Sequence, residues 1–386
     1  MGASSFIAGR LRFRSKIAVA CIAVSFLVMI IAVSVTSGFR SEIRSGISEI
    51  FGDIQITADG SNYISDESVL DLEQPYMAEI QELGIVKKAV PAVYKAGIIK
   101  KDDIIQGIMF KGVPDGPDSL GASIPSVLAG RLSLSVGDRM TVYFAGEKVR
   151  VRNFTVRDIY GAVLGGEDKL VVYTSLKDMQ AVCGFGAGEA SALEIILKGV
   201  ENTPEALDDA ASEIGTRLYA SYNGDGVPPV ATSSFGRFPQ VFSWLDLLDV
   251  NVLLILGLMT AVAGFNMISG LLIALLRNIS AIGILKSMGM KDKSIAGAFL
   301  EMASKVVLKG LLIGNVAGMG FCLLQKYTHF ITLNPENYFV SYVPVNIDIV
   351  RILATDVAAF GLIMLLLLLP SLFISGVDPA RTVKVR

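Results

Sequence analysis

Residues 17–39 read IAVACIAVSFLVMIIAVSVTSGF, 23 positions without a charge. An α-helix rises about 1.5 Å per residue, so ~20 apolar residues cross a hydrocarbon core ~30 Å thick. The run is longer than the 7–15 residue core of a secretory signal, roughly, and Ser37-Gly38-Phe39-Arg40 is not a small-x-small cleavage site. It reads as a retained membrane anchor. Residues 250–276 and 357–377 carry no charge either and form two further spans. The fourth is shorter: residues 310–325 are uncharged, and 295–309 before them hold Glu301, Lys305 and Lys309 on one helix face. Those charges fit a long helix leaving the membrane, with its lysines reaching the interface. A buried relay is the sharper alternative.

The composition agrees. Of 386 residues, 52% are apolar and 18% charged, against about a quarter charged in a soluble domain. The net charge of −2 conceals an asymmetry: residues 40–246 hold 19 Lys/Arg and 29 Asp/Glu, while the rest holds 15 and 7. Basic residues mark the cytosolic side. Arg10, Arg12, Arg14 and Lys16 precede the first span, Arg277, Lys286, Lys291 and Lys293 follow the second, and Arg381, Lys384 and Arg386 close the chain. Both termini and the 277–293 loop are therefore expected in the cytosol. The acidic middle and the 326–348 loop are expected outside. No basic cluster interleaved with aromatics points to nucleic acid. Cys21, Cys183 and Cys322 are scattered and His329 is the only histidine, which leaves neither a disulfide framework nor a metal site.

After the first span, Ile43, Ile47, Ile50 and Phe51 fall at helical spacing, and Gly52-Asp53 should stop the helix. Before the second span, Phe238, Val241, Phe242, Leu245 and Leu248 repeat the pattern behind Pro239. Both ends of the outer domain thus carry stalk helices, which either pass force or simply dock the domain. Strands are expected at 53–57, 95–100, 104–110, 139–144, 148–159, 169–174 and 192–198, and helices at 68–83, 175–182 and 203–219. The fold class is an α-helical membrane protein with four transmembrane helices and an α+β extracytoplasmic domain inserted between helices 1 and 2. Asp102-Asp103 and Asp208-Asp209 read as solvated pairs, and no catalytic grouping is found.

Gly310, Gly314 and Gly318 form a GxxxGxxxG ladder, which lets two helices approach closely, within the chain or across a dimer. Asn266 and Asn315 read as hydrogen-bonding groups at depth. Asp348 and Arg351 are placed to pair, Asp356 lies near the outer end of the last span, and Pro370 should kink or end that helix. In the cytosolic loop, Ile279, Ile282, Leu285 and Met288 recur every three residues, and Gly289 stands where a helix would end with positive φ. Such a helix plugs a groove on another protein or lies on lipid.

Residues 282–289, IGILKSMG, resemble the coupling segment of the ABC permease superfamily that includes lipoprotein-releasing, macrolide-exporting and cell-division permeases. The layout of one span, an outer domain and three spans is similar across essentially the whole chain. The lipoprotein-releasing (Lol) type fits best, on Ser37-Gly38-Phe39, on residues 264–269 (GFNMIS), on Leu128-Ala129-Gly130-Arg131-Leu132 with Val136-Gly137-Asp138, on residues 342–345 (YVPV) and on Asp378-Pro379-Ala380. The resemblance implies division into a cytosolic N-terminus with span one (1–39), an outer domain (40–246), span two (247–277), a coupling helix (278–293), span three (294–325), an outer loop (326–348), span four (349–377) and a cytosolic tail (378–386). It implies no cofactor on this chain and a separate cytosolic ABC ATPase dimer holding ATP and magnesium, and no GxxxxGK[ST] phosphate loop occurs here. ATPase coupling would fall to Ile279, Ile282, Gly283, Leu285, Lys286, Met288 and Gly289. It implies a second permease copy or sister permease, membrane lipid, a periplasmic lipoprotein carrier and a bacterial inner-membrane location. An acyl-chain cleft would be lined by Phe26, Met29, Val33, Phe39, Leu256, Met259 and Phe265. An efflux permease for peptides or drugs, and a signalling permease acting on a cell-wall hydrolase, are the competing readings.

Overall fold

The computed structural model of the protein describes residues 16–58, 69–101, 104–146, 149–161, 170–200, 203–223, 227–334, 338 and 340–371. Arg10, Arg12, Arg14, Asp102-Asp103, Lys148, Lys169 and the 378–386 tail lie outside them. Among the described residues four helices are long and apolar enough to cross a membrane: α1 (Lys16–Phe51), α7 (Pro239–Arg277), α9 (Asp292–Thr328) and the segment Ile349–Pro370. The last is broken into α10 (Ile349–Leu366) and α11 (Leu368–Ser371). Pro370 accounts for the break, since it has no N–H for the Leu366 carbonyl and its ring crowds that turn. Asp348 caps α10, its carboxylate accepting from the N–H groups of Val350 and Arg351 at 3.0 and 3.1 Å. It also pairs with Arg351 at 3.2 Å.

The chain divides into two units. One holds Met1–Arg40, Leu245–Ile331 and Val343–Arg386; the other holds Ser41–Trp244 and Thr332–Tyr342. The first is a helix bundle. Its core takes Phe26 and Met29 from α1, Met267 and Leu271 from α7, Phe299, Ala303 and Val307 from α9, and Ile363 from α10. The 326–348 loop, expected as an outer loop, is divided between the units. Thr332 bridges Tyr342, and the Tyr342 hydroxyl donates to Glu42 at 3.4 Å, which ties that segment to the second unit.

The second unit is built on β1 (Ile54–Thr57), β2 (Leu70–Asp71), β3 (Val86–Lys101), β4 (Ile104–Val113), β5 (Gly121–Pro125), β6 (Arg139–Phe144), β7 (Arg150–Tyr160), β8 (Val171–Ser175), β9 (Glu189–Ala190), β10 (Ala192–Leu197) and β11 (Val230–Ser233). Its helices are α2 (Tyr76–Glu82), α3 (Ser126–Leu132), α4 (Leu176–Cys183), α5 (Pro204–Ser221) and α6 (Ser234–Arg237). Among the described residues nine strands form one sheet in the order β11-β1-β10-β3-β4-β8-β5-β7-β6, and β6 pairs again with β3. Six strands, β3 to β6 by that route, therefore close into a ring. Alternation supplies its interior: in β7, Phe154 and Val156 are buried between exposed Asn153 and Arg157. Phe110, Phe144 and Phe154 meet inside with ring centroids 5.0–6.3 Å apart. A second core, with Ile54, Ile80, Ile195 and Ile214, lies under α2 and α5.

Several expected elements differ. The helix expected over 68–83 is only α2; Leu70–Asp71 pairs with Glu189–Ala190, and the Asp71 carboxylate takes the Glu73 N–H at 2.9 Å. That side chain offers the backbone a turn in place of a helix. β3 begins nine residues earlier than expected, through Pro91. Over Val86–Ala92 its one partner is β10, so the missing proline donor can face an open edge. β5, α3 and β11 were not expected.

Candidate coupling helix and membrane-helix bundle

Helix α8 (Ile279–Ser287) joins α7 to α9. Asn278 ends α7, its side-chain amide donating to the Ala274 carbonyl at 2.8 Å. At the other end Gly289 takes φ +86°. Its N–H reaches the Lys286 carbonyl at 2.9 Å, and Met290 N–H reaches the Leu285 carbonyl at 3.0 Å. These are the two bonds of a Schellman cap, which needs a left-handed residue that glycine supplies without strain. Lys286 pairs with Asp292 in the first turn of α9 at 2.9 Å. A carboxylate there also meets the positive helix end.

The expected plug face points the other way. Ile282 is 1% exposed in the bundle core, Gly283 is buried, and Ile279 and Leu285 pack against the same core. The side turned outward carries Ser280, Ile284, Ser287, Met288 and Gly289. A three-residue repeat marks an apolar helix face but does not say what covers it. Of the expected coupling residues, only Met288 and Gly289 are exposed, while Ile279, Ile282, Gly283, Leu285 and Lys286 hold the helix in place.

The glycine ladder is an intrachain contact between α9 and α1. A Cβ on Gly310 would stand 2.6 Å from Ile22 Cγ2, and one on Gly314 2.6 Å from the Ala23 carbonyl oxygen. On Gly318 it would be 3.2 Å from Ile30 Cβ. Phe26 and Met29 are therefore committed to the bundle core, at 0% and 1% exposure. This corrects their expected place in an open cleft: the ladder draws α9 onto that face of α1. Val33, Leu256 and Met259 are part-buried and Phe39 is buried, whereas Phe265 is 68% exposed. Leu247, Val250, Leu254, Leu258, Val262 and Phe265 form an outward apolar stripe along α7. In water such a stripe would be a liability.

Where α1 leaves the bundle, Gly38 abuts the 343–346 segment. A Cβ there would lie 2.3 Å from the Pro344 carbonyl oxygen, and Asn346 N–H donates to the Ser34 carbonyl at 3.0 Å. Two of the segments singled out in the sequence, residues 37–39 and 342–345, are thus neighbours. Arg40 then bridges to α7, pairing with Asp246 at 3.0 Å and with Asp249. Between α9 and α10, Asn315 donates to the buried Asp356 carboxylate at 2.6 Å. Asn266 on α7 is part-buried. Glu301 and Lys305 pair at 2.9 Å on α9. No cluster suited to a metal ion occurs among the described residues.

Residues 253–379 match the family described as FtsX-like permease C-terminal. Over 97% of its length the chain is 22% identical to the lipoprotein-releasing system transmembrane protein LolC of Xylella fastidiosa, covering 95% of that protein. It is 23% identical, with the same coverage of both, to the LolC protein of Neisseria meningitidis serogroup B. The chain is similar to Lol-type permeases over nearly its whole length, and to FtsX-like permeases over its last third. The periplasmic region of MacB from Actinobacillus actinomycetemcomitans covers 51% of this chain and 95% of its own at 11% identity and a TM-score of 0.32, too slight a likeness to carry an argument. The matched residues 253–379 take in α8, the α9 glycine ladder and α10. The first span and the sheet unit lie outside that match, and their likeness rests on the LolC proteins.

Proposed function

We propose that this chain is the permease subunit of an inner-membrane ABC transporter that extracts lipoproteins and passes them to a periplasmic carrier, driven by a separate cytosolic ATPase dimer. The observation that carries the reading is the similarity to LolC proteins along 97% of the chain, spans and outer unit together. The cytosolic placement of the termini and of α8 follows from the basic loops, and the sheet unit then stands in the periplasm. Ser280, Ile284 and Met288 are the α8 side chains left free to meet the ATPase. Arg40 with Asp246 and Asp249 holds the periplasmic exits of α1 and α7 together.

The acyl chains of a lipoprotein need an apolar surface, at ~0.8 kcal/mol for each CH₂ buried. With Phe26 and Met29 occupied, the outward stripe of α7 from Leu247 to Phe265 is the surface this chain brings, and a second permease copy or a sister permease would close the other wall. ATP and magnesium belong to the partner ATPase.

The test is purification of the complex from its native membrane through a tag on this chain. A cytosolic ATPase together with acylated lipoproteins that leave on adding ATP supports the release machine. Recovery with an outer-membrane channel subunit or a wall hydrolase, and no lipoprotein, would replace it with efflux or signalling.

A further inference from the structure

Within the sheet unit one charged side chain is held where charge is costly. Lys111 on β4 has a side chain 3% exposed and pairs with Glu194 on β10, 7% exposed, at 2.8 Å. The Tyr94 hydroxyl donates to the other Glu194 oxygen. The Lys111 ammonium also stands 5.7 Å from the ring centroids of Tyr94 and Tyr173. A buried ion pair adds little stability over an apolar pair of similar volume, so its presence needs a further reason.

The third partner of Lys111 supplies it. The ammonium donates to the carbonyl of Ile50, in the last turn of α1. That carbonyl lies at the negative end of the helix, where a cation is favoured. Around it the end of α1 is fastened at several further points. Gly52 takes φ +76°, and a Cβ on it would sit 3.1 Å from the Ile195 carbonyl oxygen and 3.2 Å from Glu194 Cβ. Asp53 N–H donates to that Ile195 carbonyl at 2.9 Å, and its carboxylate takes the Leu197 N–H at 2.8 Å and the Ser48 hydroxyl at 2.5 Å. The Phe51 ring lies 6.1 Å from Tyr94 and 4.8 Å from Phe238, just ahead of α7.

We infer that Lys111 is a positioning residue that makes the junction of α1 with the sheet rigid, so that movement of the helix turns the outer unit instead of being lost in a hinge at Gly52. A glycine with positive φ followed by a strand is otherwise a natural pivot. Displacing Ile50 from Lys111 would leave the buried ammonium with Glu194 alone and the helix carbonyl unmet, so the joint opposes bending at that point. The consequence for transport rests on the function proposed above; the rigidity of the joint does not.

The test uses the full chain with its ATPase partner, with Cys21, Cys183 and Cys322 replaced by alanine. Spin labels go on S45C, on the exposed side of α1's last turns, and N153C, on the exposed side of β7. The variant is K111M/E194Q, which removes both charges, keeps an acceptor for Tyr94, and avoids the unpaired charge that K111M alone could leave to unfold the unit. The label-to-label distance distribution is expected to be single and narrow in the parent and to broaden at least twofold in the variant at unchanged melting temperature. ATP hydrolysis should persist while lipoprotein released per ATP falls tenfold or more. A distribution equally narrow in parent and variant overturns the inference, whatever the transport result. A distribution that is narrow in the parent and broad in the variant, with a parent that never releases lipoprotein, would leave the joint standing and sink the proposed function instead. Broadening with release per ATP unchanged would show that the rigidity serves no coupling and would overturn the inference too. Replacement of the exposed Lys88, paired with Asp115 in the same unit, is the control and should change neither readout.

Discussion

Gly314→Ala should separate α9 from α1, and the structure sets the size of the effect. The new Cβ would lie 2.6 Å from the Ala23 carbonyl oxygen and 2.8 Å from Phe26 Cβ, where ordinary contact begins near 3.4 Å. The shortfall is about 0.8 Å, and it is against main chain, which cannot rotate away. Overpacking of this kind costs about 1–3 kcal/mol. Against it stands the helix preference of alanine over glycine, worth about 1 kcal/mol in water. The net loss is about 2 kcal/mol, taking the upper end of the packing cost because the backbone is fixed. Gly310→Ala meets Ile22 Cγ2 at 2.6 Å, a side-chain end that can shift, and should lose less; Gly318→Ala, at 3.2 Å from its nearest atom, should be near neutral. Gly320 has nothing within 4 Å and is the control. The measurement is reversible unfolding of the full chain in mixed micelles by titration with a denaturing detergent. The expected order of loss is Gly314, Gly310, then Gly318 and Gly320 together. If Gly314→Ala and Gly320→Ala unfold at the same point, the ladder is not a close contact within the chain and its packing onto α1 is wrong.

Three further outcomes follow from other parts of the molecule. On α8, Ile284→Glu and Met288→Glu should weaken recovery of the ATPase with little change in stability, whereas Ile282→Ala should cost about 2–5 kcal/mol as a core truncation; equal loss of ATPase binding without destabilisation in all three would reverse the assignment of its faces. Burial, with Asp71 and Tyr222 adding to it, pushes the Tyr76 phenol well above its usual range. The folded state thus prefers the neutral phenol, so its stabilising share is whole below pH ~10 and lost as pH rises further through the folded-state value. Tyr76→Phe should flatten that alkaline loss and cost about 1 kcal/mol at neutral pH through its bond to the Asp71 carbonyl, read as melting temperature against pH. The Arg40 pairs are partly open to solvent, with Asp246 69% exposed, so a double-mutant cycle of Arg40→Ala and Asp246→Ala should give a coupling of no more than about 1 kcal/mol.

Much of the architecture was legible because it depends on local composition. A run such as 17–39 needs a membrane whatever surrounds it, and the turn at Gly52, the cap at Gly289 and the break near Pro370 follow from the torsions those residues permit. The candidate site was legible only in part. The repeat Ile279, Ile282, Leu285 marks a buried face equally well whether the cover is another protein or this chain's own α9. Phe26 and Met29 looked free to line a cleft because nothing near them in sequence announces that Gly310, Gly314 and Gly318 will lie against them.

By itself, the sequence determined four apolar helices, a mixed unit between the first two, and a short helix between the second and third, all set by hydropathy and period over a few turns. Only the tertiary structure decided that β6 returns to β3 and closes a ring, that Gly38 meets Pro344, and that Lys111 reaches both Glu194, 83 residues away, and the end of α1, 61 residues away. Each joins positions distant in the chain. Such contacts depend on loop closure and on which apolar faces find one another, and no local preference records either.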